Sequence, residues 1–221
     1  MKPRLLMAFF LIAVFNSQVF AQFTTFAAPT TGYTSGTTLL SIPGANFSTT
    51  TSLTNGTETL GFSSTLDVRT VPGGGWATWN SPPATESATP KVLAGVGLTS
   101  LTITLTPAVN TFGFEIEPNN GTQTVTATYY NGATVLGTIS QSIAGTSGAL
   151  LAAASATTPI TSVVITVPPA ATGFAMAQFR YGGFLGSTGV PALGTPGLSA
   201  LALALIAAGS LVARRNQANQ V

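Results

Sequence analysis

Apolar and polar residues alternate with period two through much of the middle of the chain. In residues 100–106, Leu101, Ile103 and Leu105 alternate with Ser100, Thr102, Thr104 and Thr106, which gives an extended strand one apolar and one hydroxylated face. Phe112, Phe114 and Ile116 repeat the pattern against Gly113, Glu115 and Glu117. Asn119, Asn120 and Gly121 supply turn residues that tolerate positive φ, and beyond them Val125, Ala127 and Tyr129 alternate with Thr124, Thr126 and Thr128. Asn131-Gly132 predicts a hairpin into a strand over 134–140, and further strands are predicted over 161–167 and 173–181, joined through Pro168 and Pro169. Weaker candidates lie at 38–42, 58–62 and 66–70, while 148–154 reads as a strand or a short helix. Short strands with turn signals between them, and no amphipathic helix, predict an all-β domain over 22–185: an antiparallel β-sandwich, jelly-roll-like.

The two ends break this pattern. Lys2 and Arg4 precede the apolar stretch Leu5 to Val14, and Val19-Phe20-Ala21 fits a signal-peptidase site. A signal peptide over 1–21, a helix cleaved after Ala21 by signal peptidase, is predicted. Leu198 to Ala213 carry no charge, and at about 1.5 Å per residue they cover about 24 Å of a hydrocarbon core about 30 Å thick. A transmembrane helix over 197–213 is therefore expected, anchoring the protein in the membrane. A linker rich in Gly, Pro, Ser and Thr over 186–196 precedes it, and a basic cytoplasmic tail over 214–221 follows, with Arg214 and Arg215 held inside. This topology places 22–185 outside the cell.

Charge placement removes one class of partner. The chain has seven Lys and Arg residues, a net charge of +2 and a basic pI, but Lys2, Arg4, Arg214 and Arg215 belong to the ends. Between them Arg69, Lys91 and Arg180 face Glu58, Asp67, Glu86, Glu115 and Glu117, a mildly acidic balance that gives nucleic-acid binding no basis. The chain has no Cys, so an exported domain must be stabilised by its core alone, and no His, which removes the usual neutral-pH acid-base group and the commonest metal ligand. No cofactor is expected.

Val190, Pro191, Ala192 and Leu193, then the apolar run, then Arg214 and Arg215 form a three-part tail. This order resembles the bacterial PEP-CTERM class of sorting tails, in the variant that begins Ile-Pro-Thr-Leu. The resemblance implies handling by an exosortase-type membrane protease and delivery to the cell surface or an exopolysaccharide matrix. Phe112 to Asn119, the Asn131-Gly132 hairpin, Gly173 to Ala175 and Phe179 to Gly182 also look like the sandwich domains found ahead of such tails, a group for which no enzymatic activity is implied. The rival for the tail is a eukaryotic lipid-anchor signal with its small residues near Gly186 and Ser187.

Two groups of residues could carry chemistry. Glu115 and Glu117 form the close carboxylate pair of the sequence, about 7 Å apart on one strand face. Neighbours on one strand cannot flank a glycosidic bond from two directions, so a solvent-facing structural pair within reach of Arg180 is expected, with a divalent-cation contact as a weaker alternative. Trp76, Trp79 and Asn80 sit on a Gly-rich loop, Pro72 to Asn80. Buried aromatics capping the sandwich are one reading of them, and rings that stack on sugars while Asn80 donates hydrogen bonds are the other. Three successive glycines without a following Lys-Ser or Lys-Thr make no phosphate loop. Together these readings predict an exported, surface-sorted, non-enzymatic component of the cell surface or exopolysaccharide matrix. A carbohydrate-binding module using the aromatic loop is the alternative.

Overall fold

The structure is a computed structural model and describes residues 23–183. The elements in order are β1 (Phe23–Phe26), a short helix α1 (Thr31–Ser35), β2 (Thr38–Leu40), β3 (Thr49–Thr54), β4 (Thr59–Thr70), β5 (Lys91–Val96), β6 (Ser100–Val109), β7 (Thr111–Pro118), β8 (Thr122–Asn131), β9 (Thr134–Ala144), β10 (Ala149–Ser155), β11 (Ile160–Thr166) and β12 (Gly173–Gly182). The fold is all-β, and every named pairing is antiparallel. The strands belong to one sheet in the order β1-β10-β7-β12-β5-β4-β6-β11-β8-β9, with β2 on β12 and β3 on β4. The sheet is nearly closed, because its two ends meet. A Cβ at Gly137 of β9 would overlap the ring of Phe23 in β1, so only glycine lets the ends approach this closely.

Inside the sheet lies one apolar core. Phe112, Phe114 and Ile116 from β7, Leu101, Ile103 and Leu105 from β6, and Val125, Ala127 and Tyr129 from β8 all face it, as the alternation predicts. Phe179 joins the rings of Phe62 and Phe114, with centroids 5.9 and 6.2 Å away. Tyr129 is fully buried and donates its hydroxyl proton to the Leu151 carbonyl across the core, at 3.0 Å, so its polar end stays satisfied. Each large side chain buried here contributes about 1.5–3 kcal/mol.

The outer face differs along the sheet. Over β6, β8, β9 and β11 it is hydroxylated and open to solvent, with contacts such as Thr126 Oγ1 to Ser140 Oγ at 3.1 Å. Over β10, β7, β12 and β5 it is covered. Helix α1 lays Tyr33 on Leu150 and Ala152 of β10, and the segment between β4 and β5 lays Trp76 on Val92, Ala94, Ala175 and Ala177. Strand β7 is therefore buried at all eight positions.

Several boundaries differ from the sequence expectation. The candidates at 58–62 and 66–70 are one strand, β4, which pairs with β6 through Thr59 to Phe62 and with β5 through Asp67 to Arg69. Leu60, Phe62, Leu66 and Val68 keep the same inward phase throughout. The ambiguous 148–154 segment is the strand β10. Strands β1, β3 and β5 were not anticipated. Strand β5 is a short run buried on both faces, and β3 carries Leu53 as its single large apolar residue, so neither shows a clear alternation. Among the described residues no helix is long and apolar enough to cross a membrane. The predicted signal peptide, the sorting motif and the membrane helix lie outside the described residues.

One irregularity decides where a charge goes. Along β12, Phe174 and Met176 face the core, and unbroken alternation would turn Arg180 inward as well. The register against β7 shifts between Ala177 and Arg180, and Gln178 adopts φ 51° there. This bulge reverses the phase: Phe179 enters the core and Arg180 moves to the outer face. A β-branched residue is poorly tolerated at φ 51°, so we expect Gln178→Val to cost about 1–2 kcal/mol in urea unfolding, while Gln178→Gly is neutral or stabilising.

Candidate functional site

The segment from Val71 to Pro90 leaves β4 through the turn at Thr70–Gly74 and crosses the outer face of the sheet before β5 begins. Both indoles point down onto β7. Trp76 Nε1 donates to Glu117 Oε1 at 3.1 Å, and Thr78 Oγ1 donates to the same oxygen at 2.7 Å. Trp79 Nε1 donates to Glu115 Oε2 at 3.0 Å, while the backbone N–H of Glu86 reaches Glu115 Oε1 at 2.6 Å. Asn80 donates to the Gly148 carbonyl at 3.4 Å and accepts the Ser81 N–H at 2.9 Å, which ties the middle of the segment to the residue just before β10.

Arg180 completes the frame from β12. Its Nε donates to Glu86 Oε1 at 2.7 Å, and one terminal nitrogen donates to the carbonyls of Thr34 and Thr37, at 3.2 and 3.1 Å. Both partners of the ion pair are largely buried. Arg180 thus joins the end of α1 to the same loop that Glu115 holds by its backbone. Beside it a Cβ at Gly113 would overlap both Ala152 and the Tyr33 hydroxyl, so glycine admits the helix to this face.

These contacts correct the expectation for the carboxylates. Glu115 and Glu117 are 0% and 1% exposed, so they do not face solvent, and Arg180 meets Glu86 rather than either of them. Both oxygens of Glu115 and one of Glu117 already accept hydrogen bonds, and Glu117 Oε2 is buried without a partner. Among the described residues no group of three or more metal-ligating side chains is assembled. Of the two readings of the loop, the capping one describes its indoles. Trp76 is buried and Trp79 half-buried, with both indole N–H groups engaged on the sheet. Ala21, Val190, Pro191, Ala192, Leu193, Arg214 and Arg215 lie outside the described residues.

Sequence reasoning missed Glu86 and Thr78. Glu86 acts through its backbone and its side chain at once, and nothing in its Thr-Glu-Ser context marks it. Sequence did mark the indoles and the carboxylates separately. Two tryptophans three apart in a loop and two glutamates two apart on a strand were the available sign that one set satisfies the other.

Desolvation by burial pushes the carboxyls of Glu115 and Glu117 up to about 7, against the opposing effect of the hydrogen bonds from Trp79 and from Thr78 and Trp76. The arrangement anchors a loop. It offers no solvent-accessible acid or base.

No protein-family model matches the chain, and no curated protein matches it. A solved structure with partial similarity is the enzymatically active domain of tailspike protein 4 from bacteriophage CBA120, 18% identical, with a TM-score of 0.32 over 57% of this chain and 19% of that one. So low a TM-score supports no inference about fold or activity.

Two outcomes follow from the clasp. Trp76→Phe keeps the ring and removes the N–H donor to Glu117, and we expect a loss of about 1–3 kcal/mol in chemical denaturation. Because folding raises these carboxyl pKa values, it favours the protonated forms. Their contribution is complete below the ordinary value of 4.5 and is lost as the pH rises through about 7, with Glu58 acting in the same direction. Urea midpoints are therefore expected to fall from about pH 5 to about pH 8. Glu117→Gln should flatten that slope and unfold later than the wild type at the higher pH.

Proposed function

We propose that the protein is an exported, non-catalytic β-domain that serves as a component of the cell surface or of an exopolysaccharide matrix. The observation that supports a non-catalytic role is the engagement of Glu115 and Glu117, the one close carboxylate pair, by two indoles, a threonine and a backbone amide. A pair held beneath a packed loop does structural work. The sequence supports the address, through the Lys2 and Arg4 flank, the apolar stretch before Ala21, and the PEP-CTERM-like tail from Val190 to Arg215.

In this reading the nearly closed sheet is a flattened, jelly-roll-like sandwich. The covered strands β10, β7, β12 and β5 form one layer, and β6, β11, β8 and β9 form the other. Strand β4 turns the corner by pairing first with β6 and then with β5. Without Cys, the exported domain depends on its core rather than on disulfides for its stability. Signal peptidase and an exosortase-type protease are the processing partners in this proposal, and exopolysaccharide is the surrounding matrix.

N-terminal sequencing of the protein recovered from its own cells tests the address. We expect a mature chain beginning at Gln22 whose folded domain is open to protease added outside intact cells, and release into the medium when residues 190–221 are deleted. Recovery with Met1 retained and the domain shielded inside the cytoplasm would overturn the proposal.

A further inference from the structure

At one end of the sheet, away from the tryptophan clasp, two turns and the end of β12 border a groove of about 570 Å³. The β3–β4 turn supplies Asn55 and Glu58, the end of β6 and the turn after it supply Pro107 and Asn110, and the end of β12 supplies Tyr181. Its volume is within the range of small-ligand sites. Two features distinguish it from an ordinary surface furrow.

The first is Glu58. It lines the groove and is 1% exposed, and Oε1 is buried without a partner. That oxygen needs a donor. Native structures seldom leave such an atom unmet. No described residue supplies that donor, although the backbone around Glu58 is held firmly. Asn55 Oδ1 accepts the N–H groups of Thr57 and Glu58 at 3.1 and 3.0 Å, and the Glu58 carbonyl accepts the Thr54 hydroxyl at 3.0 Å.

The second is the polar edge set across from it. Asn55 Nδ2 donates to the Tyr181 hydroxyl oxygen at 2.9 Å, which leaves the phenolic proton to be donated onward. Tyr181 owes this position to the Gln178 bulge, which sets the phase of the strand beyond it. The groove is therefore lined by an unmet, buried acceptor on Glu58 and a donor on Tyr181, and Pro107 and the phenol ring add apolar surface.

The charge of the lining selects the ligand class. No Lys or Arg is among the described residues that line the groove, so nothing balances a phosphate, sulfate or uronate. A single carboxylate is too few oxygen ligands for a calcium site. A ligand that both donates and accepts through neutral hydroxyls, with an apolar ring face, matches each group present. We propose that this groove binds a neutral glycan, one hydroxyl of which donates to Glu58 Oε1 while a neighbouring oxygen accepts from Tyr181. The site stands whether or not the protein is exported, and its failure would leave the proposed address untouched.

Isothermal titration of the full-length protein with cellotetraose, maltotetraose and laminaritetraose tests the site, with tetragalacturonate as the charged counterpart. The expected result is saturable binding of at least one neutral tetrasaccharide and none of tetragalacturonate. Tyr181→Phe keeps the ring and removes the donor, so that binding should weaken about tenfold or more. Glu58→Gln should weaken it similarly, since the amide replaces one acceptor oxygen with an N–H donor. The tyrosine variant carries the test alone if the glutamine variant does not fold. Absence of binding to all three neutral probes, equal binding of tetragalacturonate, or affinity in Tyr181→Phe within twofold of the wild type would overturn the proposal.

Discussion

A strand buried on both faces that carries two carboxylates on one of them imposes a strict requirement, and half of this molecule is arranged to meet it. Strand β7 gives its phenylalanines to the core, and Glu115 and Glu117 lie on the opposite face. Ionised or not, those groups need donors once water is excluded. The loop from Val71 to Pro90 provides them as two indoles, a hydroxyl and a backbone amide. The tryptophans thus do two jobs in one side chain: the ring covers the alanines of β12 and the valine of β5, and the ring edge satisfies the acid beneath.

The same layer depends on a change of phase. Without the bulge at Gln178, β12 could not send Phe179 inward and Arg180 outward in succession. Because Arg180 holds Glu86, and the Glu86 amide holds Glu115, the bulge, the ion pair and the clasp form one connected structure. The helix α1 joins it through the carbonyls of Thr34 and Thr37. Each part relies on groups contributed by strands distant in sequence, which is why the covered half of the sheet has the character of a single packed unit.

Legibility from sequence followed solvent exposure. Strands β6 and β8 each have one wet face, and Leu101 to Thr106 and Thr124 to Tyr129 showed it by clean alternation. Strands β5 and β10 are covered on both sides, so Val92-Leu93-Ala94 and Leu150-Leu151-Ala152 give no period to read. The alternation of β7 was visible and its meaning was not: polar residues on alternate positions ordinarily mark solvent, and here they marked a second interior. The phase of Leu60, Phe62, Leu66 and Val68 could have shown that β4 is one strand, since no residue is gained or lost across the serines between them. Gln178 gave no sign, because αL glutamine has no sequence signature and the bulge is set by its neighbours.

The charged side chains of the described residues are nearly all committed within the fold. Asp67 pairs with Arg69, Glu86 with Arg180, and Glu58, Glu115 and Glu117 are buried, while the exposed Lys91 donates to the Gly44 carbonyl and keeps its charge at the surface. What the outer sheet shows its surroundings is therefore an array of threonine and serine hydroxyls with very little free charge. Ionic strength has almost no lever on such a surface, because screening acts only on charges that are present and exposed. Contacts made by that face draw on hydroxyl hydrogen bonds, for which water is the competitor.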